Sequence, residues 1–215
     1  MMPTIEEAQE WYKNSDPVHD FDHVLRVYKL ATRLAQLEGA DTEIVQAAAL
    51  LHDADNHEDP ESQGCGRDDH HQASAAFAGK LLLKEGWLPE RIAAVQHCIV
   101  AHRFRDQLNE PETIEAMVLF DADKLDAIGA IGVARAVAYA ARANQPIYTE
   151  PSEQFVLDGL KEPGENHSAY HEFIFKLAKI KDRLYTASGK RMAEERDRFM
   201  EAFFIRLQAE ISGDI

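Results

Sequence analysis

The sequence is poor in cysteine, lacks long apolar runs and is short of positive charge, and each scarcity excludes something. Cys65 and Cys98 are the only cysteines in 215 residues. Two are too few for a disulfide framework, which fits a reducing cytoplasm. No apolar stretch approaches the roughly 18–20 residues needed to cross a bilayer. The opening MMPTIEEAQEWYKN carries acidic residues and no apolar centre, so no secretory signal is expected there. Lysine and arginine total 23 against 38 aspartates and glutamates, a net charge of −15. Such a surface repels polyanions and argues against long nucleic acid and anionic membrane surfaces as partners. A small phosphate compound remains admissible, because a metal ion and a few local cations can reverse the field inside one pocket.

What is present is helical periodicity; strand alternation is scarce. With 45% hydrophobic and 28% charged residues, the composition is that of an ordinary globular protein. The length fits one domain better than two. An amphipathic helix is expected over residues 4–13, ended by Asn14-Ser15-Asp16-Pro17. The next, over 21–38, repeats Val24, Val27, Ala31 and Leu34 on one face and stops at Gly39. Asp41 caps a third, carrying Ile44, Ala47, Ala48 and Leu51. Residues 56–69 read as a loop. Helices follow over about 70–85, 89–101, 112–119 and 124–143, with Gly129 and Gly132 permitting close helix approach. Residues 144–166, rich in proline and glycine, read as an extended loop and a candidate lid. Two last helices are expected over 169–184 and 187–211.

The chemistry concentrates in histidine and aspartate. A lone histidine on an apolar face is ordinarily a satisfied core or surface residue. Here, however, an adjacent pair, His52-Asp53, ends the apolar run Ala47-Ala48-Ala49-Leu50-Leu51. Burying a carboxylate there costs several kcal/mol unless a cation or donor meets it. A metal ion at that helix end satisfies both side chains, and imidazole with carboxylate suits mid-hardness divalent ions.

The order His23, His52-Asp53, then Asp123 in Phe120-Asp121-Ala122-Asp123-Lys124-Leu125-Asp126 resembles the H…HD…D signature of the HD superfamily of metal-dependent phosphohydrolases. Asp20-Phe21-Asp22-His23-Val24-Leu25-Arg26-Val27 resembles the family's first ligand helix, and the run before His52 its second. Residues 121–130 and 189–196 resemble a subgroup of small bacterial HD proteins. That subgroup includes nucleotide pyrophosphohydrolases and many members with no assigned substrate.

The resemblance implies an all-α fold. It implies a single HD-domain helical bundle with additional C-terminal helices: a metal-binding part over 18–143, the loop 144–166 and C-terminal helices over 167–212. It implies that His23, His52, Asp53 and Asp123 hold one divalent ion (Mn²⁺, Mg²⁺, Fe²⁺, Ni²⁺ or Co²⁺). Asp123 is favoured over Asp121 because the family pattern sets it directly before Lys-Leu. Asp121 and Asp126 are read as carboxylates that orient ligands or sit at helix N-termini. Some HD proteins carry extra histidines in this order and bind a second metal. His70 fits that role, with His97 or His102 as its partner.

Residues His97 and His102 are five apart and do not share a helix face squarely, so one of them faces the site. His102 is favoured, as proton donor or phosphate contact. Arg26, Arg103 and Lys124 are the chosen phosphate-binding cations, Lys124 also counts with His102 among the candidate catalytic residues, and His57 is a candidate general acid. The expected activity is hydrolysis of a small phosphate ester or anhydride, with a nucleotide as substrate, by a cytoplasmic monomer or homodimer. The alternatives are a two-iron HD-type oxygenase and a non-catalytic metal or nucleotide sensor.

Overall fold

The computed structural model describes residues 2–12, 21–54, 70–103 and 109–215. Among them are ten α-helices and no strand: α1 (Ile5–Trp11), α2 (Phe21–Glu38), α3 (Thr42–Leu51), α4 (His70–Lys84), α5 (Pro89–Ala101), α6 (Ile114–Asp126), α7 (Gly129–Arg142), α8 (Glu153–Asp158), α9 (Ala169–Phe175) and α10 (Ala187–Ser212). The fold is all-α. None of the described helices is long and apolar enough to cross a membrane.

Local sequence explains several helix starts. Thr4 caps α1 in a reciprocal box: its Oγ accepts from the Glu7 N–H at 3.2 Å, and the Glu7 carboxylate accepts from the Thr4 N–H at 2.8 Å. One oxygen of Asp41 accepts from the N–H groups of Glu43 (3.0 Å) and Ile44 (3.2 Å), opening α3. The Arg91 guanidinium, 2.9 Å from the other Asp41 oxygen, holds that carboxyl below its usual range.

The chain divides into two compact units, Met1–Asp123 with Tyr185–Gly189, and Lys124–Leu184 with Lys190–Ile215. In the first, α3 is the central helix, packing against α1, α2, α4 and α5. Its Ile44, Val45, Ala47, Ala48, Ala49, Leu50 and Leu51 are all buried. A helix apolar on nearly every side is stable only when surrounded, and α3 is. In the second unit α7 packs on α9, and Phe173 stacks on Phe204 with ring centroids 4.8 Å apart.

Three stretches differ from the sequence reading. First, α6 does not stop near residue 119 but continues through the acidic run to Asp126, and the break comes at 127–128. The Ala127 and Ile128 N–H groups close tight turns onto the Lys124 and Leu125 carbonyls, and Gly129 follows with φ +78°. A side chain at Gly132 would meet the Ala127 carbonyl oxygen at 2.4 Å, so the turn is close to α7 there. Second, the span 144–166 is not all loop. Ser152 accepts from the Phe155 N–H at 3.1 Å, and Gly159 adopts a left-handed φ of +78°, which together bound α8. Third, the helix expected over 169–184 ends at Phe175 and passes into two 3-10 turns, Leu177–Lys179 and Lys181–Arg183.

Glu165 ties α8 to α9 within the second unit. It accepts from Ser152 N (2.7 Å), Ser152 Oγ (2.8 Å) and Glu162 N (2.7 Å), and contacts His171 Nε2 at 3.1 Å. These donors, the Ser152 N–H foremost, pull its carboxyl from 4.5 to about 2. A depressed carboxylate contributes stability above its unfolded pKa and loses it as pH falls through the folded value. Thermal melts from pH 5 to pH 2 should therefore show Glu165→Gln losing less stability on acidification than the wild type. Parallel curves would contradict this assignment.

Candidate metal centre

Four helices of the first unit deliver side chains to one place. His23 lies in the first turn of α2, His52 and Asp53 follow the last turn of α3, His102 follows α5, and Asp123 lies on α6. One nitrogen each of His23 and His52 and one Asp53 oxygen lie within 4.8 Å of one another. His52 Nε2 is 3.5 Å and His23 Nε2 3.9 Å from Asp53 Oδ2. Asp123 joins through its Oδ1, 3.4 Å from His23 Nε2, and His102 Nε2 stands 3.5 Å from Asp53 Oδ1.

The hydrogen bonds fix which ring nitrogens face inward. His52 Nδ1 lies 2.9 Å from the Ala49 carbonyl, three residues back on α3. A carbonyl only accepts, so Nδ1 carries the proton and Nε2 a lone pair. His102 repeats the device on α5, its Nδ1 donating to the Ile99 carbonyl. Burial pulls His52 from 6.5 down to about 4, so its ring is neutral at ordinary pH. His52 Nε2 is buried without a hydrogen-bond partner among the described residues.

A lone pair thus faces a carboxylate oxygen across 3.5 Å, with no proton to join them. That arrangement is costly for the protein alone and suits a cation. Two helix C-termini, those of α3 and α5, add their negative ends to the same place. The spacings of 3.4–3.9 Å lie between the separations of about 3 Å for adjacent and about 4 Å for opposite ligands on a divalent ion bound at about 2.1 Å. The donor set fits a divalent metal.

Residues 20–128 match the family model described as the HD domain. The chain belongs to the HD domain family. The uncharacterized protein YpgQ of Bacillus subtilis (strain 168) is 34% identical over 198 residues, covering 91% of this chain and 85% of that protein. The crystal structure of B. subtilis YpgQ in complex with ADP matches with a TM-score of 0.71 at 30% identity, over 98% of this chain and 99% of that one. An HD-superfamily hydrolase from Bacillus thuringiensis matches with a TM-score of 0.69 at 28% identity, over 97% of this chain and 96% of that one. HD domains bind divalent metals, and membership supports a metal-dependent phosphohydrolase in general terms.

The other residues singled out in this HD chain fall in different surroundings. His97 Nε2 accepts from the Glu112 N–H at 3.1 Å. His70 opens α4; its side chain lies outside the described part, as do His57 and Cys65. The neighbouring His71 is buried, with Nδ1 3.4 Å from Arg103 Nη1. Arg26 is half-buried on α2, one turn beyond His23. Lys124 is buried and begins the second unit. There Asp126, also buried, lies 3.4 Å from Arg135 Nη1.

Asp121 is wholly buried and accepts from Tyr185 N (2.9 Å), Thr186 N (2.8 Å) and Thr186 Oγ (2.6 Å). It therefore anchors the segment that opens α10. Gly189 makes room, since a Cβ there would stand 2.3 Å from Asp121 Oδ2. Cys98 is buried and burial pushes its thiol up, which leaves it a packed, protonated side chain. Tyr12 escaped the sequence reading altogether. Its hydroxyl donates to the Leu50 carbonyl at 3.0 Å, beside the His52-Asp53 pair.

Proposed function

We propose that this chain is a divalent-metal-dependent phosphohydrolase acting on a nucleotide, with His23, His52, Asp53 and Asp123 as the metal ligands. The observation that carries the reading is the buried, unpartnered His52 Nε2 facing the Asp53 carboxylate, with His23 and Asp123 alongside. The ion is one of Mn²⁺, Mg²⁺, Fe²⁺, Ni²⁺ or Co²⁺. Such an ion supplies Lewis acidity toward phosphoryl oxygens and lowers the pKa of water.

The protein's own part is positioning and proton handling. The Nδ1 bonds to Ala49 and Ile99 hold the rings of His52 and His102 with Nε2 inward. His102, against Asp53 Oδ1, is the group placed to hold or deliver a proton at the leaving oxygen. Arg26 and Arg103, each close in sequence to a histidine of the centre, attract and orient the phosphate in a chain of net charge −15. The ADP bound by YpgQ, a relative matched over nearly its full length, supports a nucleotide as the substrate class.

The test is a panel of nucleoside di- and triphosphates and simple phosphate esters, assayed with Mn²⁺, Mg²⁺, Co²⁺ and Ni²⁺. Phosphate or pyrophosphate release that depends on metal and stops with EDTA is expected. Nucleotide binding without turnover of any compound would make the protein a sensor and overturn the reading.

A further inference from the structure

Three of the last four carbonyls of the helix end that carries His52 and Asp53 meet partners that can be named. The final four carbonyls of an α-helix lack partners within the helix, and a buried end must find them elsewhere. The Ala49 carbonyl takes His52 Nδ1 at 2.9 Å, and the Leu51 carbonyl takes the Ala54 N–H at 3.2 Å. Between them, the Leu50 carbonyl takes the Tyr12 hydroxyl at 3.0 Å. The first two bonds are local. The third comes from a residue 38 positions away, at the end of another helix.

Tyr12 is itself buried, 5% exposed, and its ring lies 6.1 Å from that of Phe21, the first residue of the helix that carries His23. Burial, and after it the nearby Asp53 charge, push the Tyr12 phenol up. One side chain therefore touches the backbone between Ala49 and Asp53 and packs beside the start of α2. Trp11, its neighbour on α1, does something different: it makes an edge contact with Phe77 of α4, at 5.6 Å.

We propose that Tyr12 is a positioning residue for the metal centre: its hydroxyl, on the Leu50 carbonyl, holds the turn that aims His52 and Asp53. The inference rests on the metal-centre reading. The effect belongs to a single oxygen atom, the Tyr12 hydroxyl, and not to the packing of α1 as a whole. It also carries a reciprocal consequence. If detaching the hydroxyl weakens metal binding, metal binding must strengthen the hydroxyl's hold on the Leu50 carbonyl by the same factor.

The experiment is a Mn²⁺ titration of metal-free wild type, Tyr12→Phe and Trp11→Ala, followed by calorimetry and by the electron paramagnetic resonance spectrum of the bound ion. Tyr12→Phe should bind Mn²⁺ roughly tenfold more weakly, the lower end of the range for removing a direct partner of a metal ligand, and should broaden the spectrum. Trp11→Ala should lower the melting temperature yet leave the affinity and spectrum of folded protein unchanged. Equal affinities and spectra for Tyr12→Phe and wild type overturn the inference, as does equal weakening by Trp11→Ala. A wild type that binds no Mn²⁺ removes the inference and the metal-centre reading together.

Hydrogen exchange on the wild type keeps the question decidable should Tyr12→Phe not fold. Adding Mn²⁺ should slow exchange in α1 as well as at the end of α3. Protection confined to α3 overturns the inference.

Discussion

His52→Ala should lower Mn²⁺ affinity by more than roughly 100-fold, beyond the range for partners of metal ligands, and reduce phosphohydrolysis to background. The apo protein should suffer far less. His52 Nε2 has no hydrogen-bond partner among the described residues, so alanine removes an unsatisfied group along with the Nδ1 bond to Ala49. The melting temperature without metal should fall by only a few degrees, while the increase that metal gives the wild type disappears. This contrast separates a ligand from a core residue. A variant with wild-type Mn²⁺ affinity, or one that melts early with and without metal, would contradict the role assigned to His52.

The second large effect concerns stability. Asp121→Ala strands three donors, two N–H groups and the Thr186 hydroxyl, around a side chain with no exposure to solvent. The two Thr186 donors are buried and the Tyr185 N–H only part-buried; unsatisfied buried donors cost about 1–3 kcal/mol each, so a loss of about 4 kcal/mol is expected. For a protein of this size that is about 10 °C in melting temperature. Asp121→Asn keeps an acceptor and should lose about half as much. Asp123, two residues on along α6, should then hold metal less well, since its helix has lost an anchor. A melting temperature within about 2 °C of wild type for Asp121→Ala, where the expected shift is several times larger, would show that the three bonds do not matter.

The parts of the fold that were legible in the sequence are those written in local pattern. The apolar run 44–51 ending in His-Asp marks a surrounded helix with polar groups at its end, and the structure buries that run around the same pair. Asp41 at the start of α3 and the face of Val24, Val27, Ala31 and Leu34 on α2 are equally local. The polar run Phe120–Asp126 was opaque. Its aspartates look like a break, yet α6 passes through them, because the partners of Asp121 arrive from residues 185 and 186. Tertiary pairing of that kind leaves no trace in a window of neighbouring residues.

The helix α8 was legible and overlooked: a serine cap and a glycine stop flank it, but prolines nearby favoured a loop. Between His97 and His102 the spacing alone lets either face inward, and the sequence preference for His102 had no geometric reason behind it. What distinguishes His102 is its place just past the end of α5, where Nδ1 can reach back to Ile99. Tyr12 was invisible for a different reason. A tyrosine at the end of a short amphipathic helix carries no sign of the carbonyl that it meets 38 residues later.

The central claim, that these four side chains share one divalent ion, is tested most directly by anomalous diffraction from crystals of the protein grown with Mn²⁺. A strong peak is expected about 2.0–2.3 Å from His23 Nε2, His52 Nε2 and an oxygen each of Asp53 and Asp123. It should vanish in crystals of His52→Ala. Manganese bound elsewhere, or no manganese with these four side chains as close together as described, would contradict it.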